Sequence, residues 1–193
     1  MINRKKFFDG IRQGPFSGKL KATTVKGCSA ILDEWERRKL TDLRQLAYML
    51  ATTLGECGED MLPVREGFKD TDADARAYVK RKGYKYAVVV NGHVYYGRGN
   101  VQQTWAKNYI AMGKIIGVDL YNDPDKALEP DIAAEIMFEG MSRGTFTGKK
   151  LSDYFNAKTT DWGNARRIIN GTDRAAEIAG YAKQFYADLV AAS

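Results

Sequence analysis

Helical periodicity fills this chain in seven stretches and is broken only once. Residues 3–12, 22–38, 42–57, 103–116, 130–142, 161–169 and 173–191 each combine strong helix formers with apolar residues three or four apart. The break is YAVVVNGHVYY, residues 86–96, where β-branched and aromatic residues flank Asn91-Gly92. That dipeptide accepts the positive φ angles of a type I′ turn, so the stretch reads as a hairpin. Thr41 is placed to cap the third helix and Pro130 to open the fifth, while Gly10, Gly117 and Gly144 stand where helices should stop. With no repeat and no long linker, the expectation is one α+β, mostly α, domain over residues 1–193, without a separate wall-binding module.

Charge and residue usage narrow the chemistry. Thirty Lys and Arg against 24 Asp and Glu give a net charge of +6, which suits an anionic partner. The basic residues are dispersed apart from NRKK at the start and KRKGYK at 80–85, runs that read most simply as solvated faces. The opening MINRKKFFDGIRQ has no apolar core of a signal peptide, and no stretch approaches 18 apolar residues, so synthesis in the cytosol with reduced cysteines at 28 and 57 is expected. The single histidine, His93, reads as a strand residue. It leaves a zinc site without partners and a Ser-His-Asp triad without a G-x-S-x-G turn. GTFTGKK lacks the spacing of a phosphate-binding loop. No metal and no cofactor are expected, which leaves carboxylates.

LAYMLATTLGECGEDMLPVREGF, residues 46–68, carries them. Leu43, Leu46, Ala47, Leu50 and Leu54 form the buried stripe of its helix, and Glu56 lies off that stripe above Met49 and Thr52. A carboxylate at a helix C-terminus opposes the macrodipole, and apolar neighbours make it harder to ionise, which suits a general acid. The simpler alternative is a solvated helix-end glutamate. Glu66 follows LPV in a non-helical loop able to fold back across the helix end. Two carboxylates on separate elements can face one another as hydrolysis of a glycosidic bond requires, one protonating the leaving oxygen and the other activating water. The loop YYGRGNVQQTW, residues 95–105, adds aromatic rings for sugar faces and amides for hydroxyl and acetamido groups.

The order of helix, Glu56, short loop, Glu66, then YYGRGNVQQTWAKNY at 95–109 resembles glycoside hydrolase family 19, the family of plant-type chitinases and chitinase-like bacteriophage endolysins. Its signature, close to Y-Y-G-R-G-x-x-Q-[LI]-[ST]-x-x-x-N-Y, is matched at almost every position. The segments LEPDIAAEIMFEGMSRGTFTGKKLSDYF and NARRIINGTDRAAEIAGYAKQFY, with the start RKKFFDGIRQGPFSGKL, are similar to the phage branch. The resemblance implies a lysozyme-like fold of two mostly helical lobes with a small sheet beside the cleft, and an inverting mechanism. Glu56 takes the place of the general acid, Glu66 that of the general base, and Thr104 that of the hydroxyl holding the attacking water. Gln102, Asn108 and Asn170 match sugar-contacting positions, and Tyr96 and Trp105 are assigned to sugar stacking. Arg98 is either a substrate contact or a structural hydrogen-bonder. An inverting pair implies carboxyl groups about 6.5–9.5 Å apart. Gly55 and Cys57 replace the histidine and hydroxyl residue that flank the acid in many members, and Gln103 replaces Leu or Ile.

The leading expectation is thus a monomeric endolysin that cleaves the β-1,4 bonds of peptidoglycan, needs a holin-type membrane protein for release from the host cytoplasm, and acts in the periplasm or wall. A chitinase, a glycan-binding protein without catalysis, and a nucleic-acid binder remain as alternatives; the last needs a clustered basic face, and here the lysines are spread out.

Overall fold

The computed structural model describes residues 1–193 and is 55% helix and 6% strand. Eight helices make the frame: α1 Arg4–Gln13, α2 Ala22–Arg37, α3 Leu43–Cys57, α4 Asp72–Arg81, α5 Ala106–Ile116, α6 Pro130–Arg143, α7 Leu151–Tyr154 and α8 Ala175–Ala191. Four two-residue strands pair as two antiparallel ribbons. β1 (Val64–Arg65) joins β4 (Arg98–Gly99), and β2 (Val89–Val90) joins β3 (His93–Val94).

The packing divides into two cores. The larger gathers 37 buried residues around α3, which is sandwiched against α8; Leu46, Leu50 and Leu54 of the expected stripe all lie in it. The smaller consists of Ala75 and Val79 from α4 with Val94 and Tyr96 from the hairpin exit. Side chains on a strand alternate between faces, so Val94 and Tyr96 enter the small core while Tyr95, between them, enters the large one. Two helical lobes joined by a small sheet are the architecture expected.

Sequence signals and structure differ at identifiable places. Asp42, not Thr41, caps α3 by accepting from the Arg44 N–H at 3.1 Å. Gly10 does not end α1; it lies inside the helix, where a Cβ would sit 2.5 Å from the Asp188 carboxylate of α8. Gly117 and Gly144 do end their helices, at φ 72° and 75°, and Pro130 opens α6. Residues 103–105 are not helical, and of residues 161–169 only 164–168 form a turn of 3₁₀ helix. Helix α4 was not foreseen, although Thr71 caps it and Asp72 and Asp74 occupy its first turn. Asn91 (φ 49°) and Gly92 (φ 74°) make the expected hairpin turn. No helix is long and apolar enough to cross a membrane.

Candidate active site

Glu56 is carried by the last turn of α3, in the large lobe. Gly55 beside it packs so closely on α8 that a Cβ would meet Ile178 Cδ1 at 2.2 Å, which gives the missing side chain a packing reason. The surroundings of Glu56 are not the apolar ones expected. Its Oε1 lies 2.7 Å from Nη1 of Arg166, whose side chain is 3% exposed against 19% for Glu56. The contact lacks hydrogen-bond alignment and is a close pairing of charges. The 3₁₀ turn Asn164–Ile168 supplies Arg166, whose Nε donates to the Asp173 carbonyl at 2.9 Å. Arg174, at φ 54°, donates from Nη1 to the Gly55 carbonyl at 2.8 Å and so closes the C-terminus of α3.

Glu66 directly follows β1, in the turn that leaves the β1–β4 ribbon. Its N–H donates to the Gly97 carbonyl and its Oε2 accepts from the Gly97 N–H, both at 2.8 Å. A Cβ on Gly97 would stand 3.2 Å from that Oε2, so glycine permits the approach. Oε1 accepts from the Tyr86 hydroxyl at 2.6 Å. Both carboxylate oxygens are therefore held, each with a lone pair left over. Burial first, then the Glu66 carboxylate, push the Tyr86 hydroxyl well above its usual range, so tyrosine is the donor throughout.

The signature segment separates into surface and scaffold. Trp105, 40% exposed, meets the Tyr86 ring edge-on at 5.7 Å and holds the unusual φ of 71°; a bulky residue there is a true backbone outlier of the kind that collects at functional sites. Thr104 is half-buried, and its carbonyl accepts from Asn108 Nδ2 at 2.8 Å. Asn170 is exposed just past the turn that carries Arg166. Gln102, at φ 52°, spends its amide nitrogen on the carbonyls of Val64 (2.9 Å) and Gly99 (3.1 Å), clamping β1 to β4.

Two assignments are corrected. Tyr96 is fully buried and cannot stack on a sugar; its hydroxyl donates to Asp72 at 2.8 Å. Arg98, 1% exposed, stacks 3.6 Å above the Tyr96 ring and donates to Asp72 (3.1 Å), Asp125 (2.8 Å) and the Val94 carbonyl (3.1 Å). It is the structural alternative, not a substrate contact. Arg65 reaches the other oxygen of Asp125 at 2.6 Å. Burial works to raise the Asp125 carboxyl, but hydrogen bonds and charge from Arg65 and Arg98 outweigh it and hold it below the usual carboxylate range. Gln103 is not a helix-start residue either. It is buried in an antiparallel bridge to Arg98, and its side-chain nitrogen finds no protein partner.

Sequence reasoning missed Tyr86, Arg166 and the two aspartates. In the sequence Tyr86 reads as a strand residue and Arg166 as part of a helix; nothing local marks either as facing a glutamate.

Each lobe thus presents one glutamate, Glu56 against a buried cation and Glu66 held by two donors. Residues 54–139 match the profile of glycoside hydrolase family 19, described as chitinase class I. The chain resembles a crystal structure of a bacterial family 19 chitinase (TM-score 0.64, 21% identity, 97% of this chain and 94% of that one) and chitinase C of Streptomyces griseus (TM-score 0.63, 19% identity, 98% and 92%). At these identities the likeness speaks for the fold. Locally the similarity is higher: 48% over 48 residues to endochitinase 1 of Theobroma cacao, and 54% over 35 residues to endochitinase A2 of Pisum sativum. These stretches are 24% and 18% of this chain and span only 15% and 11% of those relatives. The similarity to glycoside hydrolase family 19 is carried by residues 54–139, 86 of the 193 residues, and by the fold.

Proposed function

We propose that the protein hydrolyses β-1,4 glycosidic bonds of bacterial peptidoglycan as an endolysin, with Glu56 as general acid and Glu66 as general base. The observation that carries the roles is the contrast in their surroundings. Glu56 faces a buried guanidinium, so the carboxylate left after it protonates the glycosidic oxygen is stabilised where it forms. Glu66 is gripped by Tyr86 and Gly97 and keeps free lone pairs for a water proton, and Thr104 is the hydroxyl assigned to that water. Trp105 offers an exposed ring for stacking, Asn170 an exposed amide, and Asn108, whose nitrogen is held by Thr104, its amide oxygen. In-line attack opposite the leaving oxygen gives inversion at C1. The net charge of +6 and the similarity of the flanking segments to phage endolysins support peptidoglycan as substrate and release through a holin-type protein.

The second reading is a chitinase acting on N-acetylglucosamine polymers, favoured by the matched relatives, which are endochitinases. Digestion of purified Gram-negative peptidoglycan, followed by borohydride reduction and mass spectrometry, separates the two. Muramic acid at the new reducing ends from wild type, and no fragments from Glu56→Gln, are the expected result. Glucosamine ends would make the enzyme a glucosaminidase. Release from chitin oligomers alone would replace the endolysin reading with the chitinase.

A further inference from the structure

The hairpin that brings Tyr86 to Glu66 continues into a tip that the active site does not use. Val88, Val89 and Val90 are 55%, 66% and 37% exposed, three consecutive aliphatic side chains at the edge of a two-stranded ribbon. Tyr84 beside them is 38% exposed. Immediately before, Lys80, Arg81, Lys82 and Lys85 are all exposed, and none of the four makes an ion pair. From residue 75 to residue 118 the chain has eight Lys and Arg and not one Asp or Glu, although the whole molecule nets only +6. The tip is also braced. Arg76 donates to the Gly92 carbonyl at 3.2 Å, and Asn91 Nδ2 donates to Asn122 Oδ1 at 2.9 Å.

An exposed aliphatic tip on a rigid hairpin, next to unpaired cations, matches a surface that is anionic outside and apolar just beneath. We propose that this hairpin docks the protein onto anionic lipid bilayers, with Val88–Val90 entering the interface, Tyr84 at headgroup level and the four cations on lipid phosphates. A sugar polymer would be met by aromatic faces and amides, as around Trp105, not by three valines. The docking surface stands independently of the glycan substrate.

Co-sedimentation of the full chain with phosphatidylglycerol-containing vesicles, and with pure phosphatidylcholine vesicles as the control, tests it. Binding to the anionic vesicles only, weakened by salt, is expected. The double change Val88→Ser with Val89→Ser should weaken it about tenfold, and Lys80→Glu with Lys82→Glu and Lys85→Glu should abolish it. Circular dichroism and hydrolysis of soluble glycan fragments should match wild type in both variants. Failure of wild type to bind anionic vesicles would overturn the proposal, as would equal binding by the serine variant. A raised KM of the serine variant on soluble fragments would assign the tip to the cleft, and retention on purified peptidoglycan without vesicle binding would assign it to the wall; either result overturns membrane docking.

Discussion

The hydroxyl of Tyr86 lies 2.6 Å from the carboxylate of Glu66, twenty residues earlier in the chain. The hairpin and the loop before α4 are thus fastened together at the point proposed for the general base. Tyrosine here is a positioning residue: it touches the base, not the substrate. Tyr86→Phe keeps the ring that meets Trp105 and removes only the donor. We expect kcat to fall about tenfold with KM nearly unchanged, since a misplaced base costs most in the transition state. A parallel rise in KM, or no change in kcat, would assign Tyr86 to packing.

Arg166 is buried and Glu56 is its carboxylate partner. Arg166→Met leaves Glu56 largely shielded from water and without its nearest cation, with only Arg174 nearby. Breaking such a pair costs about 3 kcal/mol, whereas removing both charges costs less. Urea unfolding of Arg166→Met, Glu56→Gln and the double variant should therefore show strong non-additivity, the double being more stable than Arg166→Met alone. Additive losses would mean that the two charges do not interact.

Asp125 bridges Arg65 and Arg98, and its folded-state acidity is increased by them. A carboxyl with a depressed folded value contributes stability that is present above its unfolded pKa of about 3.9 and is lost as pH falls through the folded value below that. Thermal unfolding should accordingly show Tm dropping below about pH 4. Asp125→Asn should be less stable at neutral pH, with the gap to wild type narrowing as acid protonates the native aspartate. A gap that stays constant down to pH 2 would show that the bridge carries no pH dependence.

Gln103 occupies a buried position with an unpartnered side-chain N–H, and a buried donor without an acceptor costs about 1–3 kcal/mol. Gln103→Leu should raise stability by about 1 kcal/mol in denaturant titrations without changing hydrolysis. A destabilised variant would mean that the amide is satisfied in solution, by water.

At Gly55 the sign is the reverse. A methyl would meet Ile178 Cδ1, so Gly55→Ala should destabilise by about 1–3 kcal/mol, and Ile178→Val should recover part of the loss. Independent losses in the double variant would place the cause in the helix backbone instead.

The sequence made some of this legible and hid the rest for physical reasons. Periodicity exposed the apolar stripe of α3, and Asn91-Gly92 exposed the hairpin, because both are local patterns with local causes. Glu56 and Glu66 stood out as carboxylates at the ends of elements. The buried tyrosine and arginine of YYGRG did not betray their burial. Such rings and guanidinium groups are usually exposed, and only the facing Asp72 and Asp125, 26 and 27 residues away, make their burial tolerable. Helix α4 was lost for a different reason: its apolar positions face a small core supplied by the hairpin, so only Ala75 and Val79 needed to be buried.

Tyr95 and Tyr96 are adjacent in the extended segment between β3 and β4 yet anchored in separate cores. Rotating the small lobe away from the large one would drag a tyrosine out of its socket, at a cost of several kcal/mol for an aromatic of that size. The two cores are hence riveted to one another at neighbouring residues, so that the relative placement of the lobes is a property of the fold itself.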